Sequence, residues 1–204
     1  MLALTAEEGL QKVEGQWVEH ERKLNAWREQ FPESATPTLL LAQLYRNRGY
    51  AERGGGLAWT VGSEKWESFR RYLAKARESL QGSPKSKLDP HWYAMMLEIA
   101  GLQSDDKVFY ATLDELSKKT PNYHWAWFTA ANFLQPKWGG NYEAIEAFAN
   151  SAVTANRANG PESKAMYARI YWSLSSDMGK ANLDRKSTRL NSSHLDLSRM
   201  PSSA

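Results

Sequence analysis

Apolar residues along this chain recur every three to four positions, the spacing of a helix face rather than the alternation of a strand. Leu10, Val13, Trp17, Leu24, Trp27 and Phe31 make one stripe, with His20 filling its gap. Trp66, Phe69, Leu73, Ala76 and Leu80 make a second, opposite Lys65, Arg70, Lys75 and Glu78. Ile145, Phe148, Ala149 and Ala152 make a third. The punctuation agrees. Thr5-x-x-Glu8 is a capping box. Thr36-Pro37, Asp89-Pro90 and Thr120-Pro121 each set a capping side chain before a proline at the first helical position. Ser63-Glu64, Asp105-Asp106, Asn141 and Gly160-Pro161-Glu162 open further helices, while the glycines at 54–56, Gly82 and Gly179 close them. The pattern predicts eight helices, near 5–31, 37–52, 63–81, 90–102, 105–119, 121–134, 141–157 and 161–178.

Six of these eight fall into helix–turn–helix pairs. Trp92 to Trp125 is 33 residues and Pro90 to Pro121 is 31, while Pro121 to Pro161 is 40 because QPKWGGN lengthens one turn. A period near 34 with aromatic-rich first helices is similar to tetratricopeptide repeats. The expected fold is all-α, a tetratricopeptide-like α-α solenoid of about eight helices. A generic helical bundle is the alternative, because small residues do not recur regularly where helices would cross.

Composition changes this picture in few places. With 204 residues the chain can bury a substantial core, and nine Trp imply heavily aromatic packing. No apolar run approaches the roughly eighteen residues of a membrane span. The start meets Glu7 and Glu8 before any signal-like segment develops. The absence of cysteine excludes disulfides and thiolate metal sites and fits a reducing compartment, so the expected location is cytoplasmic. The net charge of +3 hints at an anionic partner until its source is examined. Arg185, Lys186, Arg189 and Arg199, against Asp184 and Asp196, all lie in the last 21 residues; without them 22 basic residues face 21 acidic ones.

That final stretch, DRKSTRLNSSHLDLSRMPSSA, resembles translated sequencing adapter. Codons available to residues 184–194 and 198–204 spell two separated adapter segments, with room at 195–197 for an index of about eight nucleotides. The sequon Asn191-Ser192-Ser193 then carries no meaning. The expected organisation is one helical-repeat domain over 1–183, truncated at its C-terminal side, followed by a disordered non-native tail over 184–204.

Several stretches carry a family resemblance: RGGGLAW (53–59), DPHWYAMMLEIA (89–100), FLQPKWGGNYEAIEAFA (133–149) and YARIYW (167–172), with weaker similarity in AWREQFPES (26–34). In this order they resemble a bacterial family catalogued as domain of unknown function 4034. The Pro-x-Trp-Gly-Gly core, followed by an acidic helix start, is the most specific piece. The resemblance implies a tetratricopeptide-like helical domain and carries no established activity.

Candidate chemistry is sparse. HERKL (20–24) begins like a zinc-protease motif but has Leu24 where the second histidine belongs. His91 and His124 follow Pro-marked helix starts without the carboxylate spacing of a metal site. RGGGLAWTVG lacks the Gly-Lys-Ser/Thr of a phosphate cradle and reads as an inter-helix turn covered by Trp59. Asp105-Asp106 and Asp114-Glu115 read as helix-dipole and surface charges. In QPKWGGN, Pro136 ends a helix and Gly139-Gly140 permit positive φ. Trp138 there is either a buried plug between helix pairs or a ligand wall beside Lys137 or Arg169.

The expected role is a protein- or peptide-interaction scaffold using the surface that stacked helix pairs create. Its candidate binding residues are Lys137, Trp138, Gly139, Gly140, Arg169 and His124. The alternative is an enzyme or small-molecule-binding domain near Trp138, Arg169 and His124; a third reading is an accessory domain of a larger protein. No catalytic or metal residue, cofactor, nucleic acid or membrane is assigned. The last helix sets Tyr167, Ile170, Tyr171 and Leu174 on one side and Ala165, Ala168 and Trp172 on another. One of these sides is expected to stay exposed and to drive non-native self-association.

Overall fold

The structure, a computed structural model, describes residues 6–175, with side chains from residue 13 onward. The capping box at Thr5, the stop at Gly179, the end of the last helix at 178 and the tail over 184–204 lie outside the described residues. The fold is all-α, with eight α-helices among the described residues: α1 (Ala6–Gln30), α2 (Thr36–Arg53), α3 (Ser63–Gln81), α4 (His91–Leu102), α5 (Asp106–Lys119), α6 (His124–Phe133), α7 (Tyr142–Ala155) and α8 (Glu162–Ser173). Short 3₁₀ turns at Ala58–Thr60, Pro84–Leu88, Pro136–Trp138 and Arg157–Asn159 fill the connections. Among the described residues no helix is long and apolar enough to cross a membrane.

Local chemistry explains where the helices begin. Asp105 accepts the backbone N–H of Val108 at 3.1 Å, and Asn141 accepts that of Ala144 at 2.7 Å. Asp89 accepts the N–H of His91 at 2.9 Å. Two expected caps are not used. Thr36 is already helical, behind Ala35. After Thr120 a tight turn intervenes, with the N–H of Tyr123 donating to the Thr120 carbonyl at 3.0 Å, so α6 starts at His124 rather than at Pro121.

The chain divides after Ala130, within α6, into two compact units. In the first, α2 packs along α3, both touch α4, and α4 pairs with α5. Gly49 permits the α2–α3 approach: a Cβ there would stand 3.2 Å from Cβ of Tyr72 and 3.3 Å from the Phe69 ring. The α4 sequence, HWYAMMLEIAGL, is apolar almost all round, and residues 92–97, Ile99 and Ala100 are buried accordingly. Two deep indoles are tied to backbone: Nε1 of Trp92 donates to the Leu80 carbonyl at 3.2 Å, and Nε1 of Trp127 to the Pro121 carbonyl at 2.9 Å.

The α1 stripe is covered less than its spacing suggests. Trp17 and Leu24 are half-buried, whereas Val13, His20, Trp27 and Phe31 are exposed. The α2 surface facing α1 offers polar groups instead of a matching groove. Tyr45 donates its hydroxyl to Glu21 at 2.7 Å, and the buried Arg48 pairs with Glu14 while its guanidinium lies 4.7 Å over the Tyr72 ring.

In the second unit α7 packs on α8. Ile145, Phe148, Ala149 and Ala152 are buried, as their stripe predicts. Met166, Ile170 and Tyr171 on α8 and Leu174 just after it are buried, while Trp172 is 81% exposed beside the exposed Ala168.

Candidate functional site

The turn carrying Lys137, Trp138, Gly139 and Gly140 is a 3₁₀ segment closed by three backbone hydrogen bonds. The N–H groups of Trp138 and Gly140 donate to the Gln135 carbonyl at 2.9 and 3.2 Å, and that of Gly139 to Pro136 at 3.0 Å. Gly139 is left-handed, with φ of 89°. Gly140 runs so close to the end of α6 that a Cβ would fall 2.0 Å from the Leu134 carbonyl oxygen. The close approach is therefore to the preceding helix end, and it does not bury Trp138. That indole is 46% exposed, with its ring centroid 5.1 Å from that of Phe133 and the two rings tilted, which corrects the expectation of a buried plug.

The other sequence candidates are placed as follows. Arg169 donates to Glu162, one helical stretch earlier on α8, at 2.8 Å. The ring of His124 lies 6.4 Å from that of Phe128 on α6. In the glycine-rich loop, Trp59 is 81% exposed, which corrects the expectation that it covers the turn. Trp66 takes the expected part: its Nε1 donates to the Ala58 carbonyl at 3.3 Å, and Arg53 lies 4.7 Å over its ring. Trp66 can do so because it stands on α3, where the helix fixes it, whereas Trp59 belongs to the short 3₁₀ turn Ala58–Thr60.

A cleft of about 180 Å³ opens instead on α2, α4 and the start of α6. Helical spacing assembles it. His91, Ala94, Met95 and Glu98 stand at i, i+3, i+4 and i+7, a single stripe of α4. Gln43 and Arg46 on α2 and Trp125 and Thr129 on α6 are spaced by three and four. Ala94 and Met95 are buried and form the apolar floor, and Trp125, 59% exposed, stands at the edge.

The polar side of the cleft is an ion pair. Nε of Arg46 donates to Oε1 of Glu98 at 2.9 Å, its second terminal nitrogen donates to the same oxygen, and the first donates to Asn47 at 2.9 Å. The guanidinium also lies 5.1 Å over the Tyr50 ring. Burial, and then the negative field of Glu98, push the Tyr50 phenol above its ordinary pKa. At the other end, Nδ1 of His91 is 3.0 Å from the Tyr123 hydroxyl. Burial, followed by the charge of Asp89, raises that phenol as well, keeping it a neutral hydrogen-bonding group. The cleft thus offers an apolar floor, an exposed aromatic edge and a charge pair already matched within itself.

Of these residues, sequence reasoning singled out only His91. A usable signal was present: Glu98 is the one acidic residue in an otherwise apolar α4, seven positions after His91. A carboxylate on such a helix needs a cation from elsewhere. Among the described residues, no three His, Asp or Glu side chains come together as a metal site. No family model matches this sequence, and comparison with curated proteins and with solved structures returns no match.

Proposed function

We propose that this chain is a protein-interaction scaffold of tetratricopeptide-like helix pairs, holding a peptide segment in the cleft on α2, α4 and α6. The observation that carries the reading is that three alternate helices, α2, α4 and α6, all contribute to one cleft. The contacts of α4 with both α2 and α3 are those expected where one helix pair stacks on the next. The resemblance of 53–172 to domain of unknown function 4034 supports the same architecture. An acid–base enzyme would need ionisable groups held in poised states. Here Arg46 and Glu98 satisfy each other, which favours recognition over catalysis.

The test is affinity selection of a random heptapeptide library on the whole chain, followed by titration of a selected peptide against Trp125→Ala. Trp125 is exposed, so its removal should leave the far-UV circular dichroism unchanged. As an aromatic anchor it should cost ~2 kcal/mol of binding, about thirtyfold in affinity. Peptides that bind equally well to the variant would refute the assignment.

A further inference from the structure

We infer that the cleft accepts one uncharged side chain of its peptide, aromatic or long aliphatic, and turns away side chains of either charge. The inference rests on the reading of the cleft as a peptide site and adds its selectivity. Size is the first argument. At about 180 Å³ the space is below the ~300–1,000 Å³ of pockets that enclose whole small molecules, and it suits a single large side chain. Its floor of Ala94 and Met95 and its Trp125 edge offer dispersion contact to such a group.

Charge is the second argument. Both Arg46 and Glu98 line the cleft, and two nitrogens of Arg46 converge on one Glu98 oxygen. An incoming carboxylate drawn to Arg46 meets Glu98 beside it, and an incoming ammonium drawn to Glu98 meets Arg46. Either must break a charge-assisted contact in which two nitrogens share one oxygen, and leave one member of a partly buried pair unmatched. A cation stacked on Trp125 would gain only the small attraction available at an exposed ring while facing the Arg46 guanidinium. An uncharged side chain leaves the pair intact. Covering it then excludes water from the pair and strengthens it.

Three matched probes test this on the full chain: N-acetyl-phenylalaninamide, N-acetyl-argininamide and N-acetyl-glutamic acid amide. Each is titrated while the Trp125 indole N–H and the Met95 methyl are followed by NMR. The phenylalanine probe should shift both signals with a midpoint at least ~5-fold below those of the charged probes. Glu98→Gln exposes an unmatched Arg46 and should move the preference towards the acidic probe. Arg46→Gln exposes Glu98 and should move it towards the basic one. Either folded variant is sufficient to judge the pair. A charged probe preferred by the unaltered chain, or variants that keep its order of preference, would overturn the selectivity and leave the peptide site standing. No shift with any probe, together with no Trp125-dependent peptide from the library, would remove the site itself.

Discussion

Replacing Gly140 by alanine should destabilise the 131–175 region more than replacing Gly139, although Gly139 is the residue with positive φ. The added Cβ would stand 2.0 Å from the Leu134 carbonyl oxygen and 2.5 Å from its carbon, both backbone atoms that cannot rotate aside. The turn must open. Opening it sacrifices the two N–H bonds from Trp138 and Gly140 to Gln135, about 1 kcal/mol each. The Trp138–Phe133 ring contact goes with them, about another 1 kcal/mol. Gly140→Ala should therefore cost ~3 kcal/mol. At Gly139 nothing lies within reach of a new Cβ, so alanine meets only the left-handed penalty of roughly 1–2 kcal/mol. Urea unfolding followed by far-UV circular dichroism gives both numbers. A Gly140→Ala variant no less stable than Gly139→Ala would show that the turn is not held against Leu134.

Trp138→Ala should cost ~1–2 kcal/mol, below the 3–5 kcal/mol of a fully buried Trp, because nearly half of the indole is already in water; a larger loss in the same urea assay would mean the side chain is covered. Alkaline pH should unfold the protein progressively. Burial, and then the hydrogen bond to Glu21, push the Tyr45 phenol far above its ordinary value, and Tyr50, Tyr93, Tyr123 and Tyr171 are raised mainly by burial. An unfolded phenol ionises near ~10, so above that pH the unfolded chain holds fewer protons than the folded one. Stability should be full below about pH 10 and fall as pH rises through it, with Tyr45→Phe flattening the slope; a flat profile to pH 11.5 contradicts the burial. Trp172→Lys should leave stability within ~0.5 kcal/mol and reduce any concentration-dependent sedimentation; a severe loss of stability would place that indole in a packed interface.

The helices were legible because their signals are local. Stripe periodicity placed α3 and α7, and Asp105 and Asn141 cap as their positions suggest. The exposure of individual tryptophans was not legible, because it depends on what another element brings against them. Trp92 and Trp127 are buried with their N–H groups on backbone carbonyls, while Trp59 and Trp172 are exposed and Trp138 is nearly half in water. The α1 stripe failed for the same reason: its partner surface carries Tyr45 and Arg48, and spacing within α1 cannot show that. The cleft was hidden because its polar half pairs residues 52 positions apart. The sequence candidates at 137–140 came from an unusual turn, and the glycines there answer first to the geometry of the chain.

Arg46 and Glu98 tie α2 to α4 directly. Under the proposed peptide-binding role, a cleft propped in this way would admit a peptide without rearrangement, and encounter would be limited by diffusion and orientation, roughly 10⁵–10⁷ M⁻¹s⁻¹ for unsteered protein association. The matched pair also projects little field into solvent, which makes that arrival rate nearly indifferent to ionic strength. Competing peptides would then reach the cleft equally often, and selection among them would take place in the time each one stays.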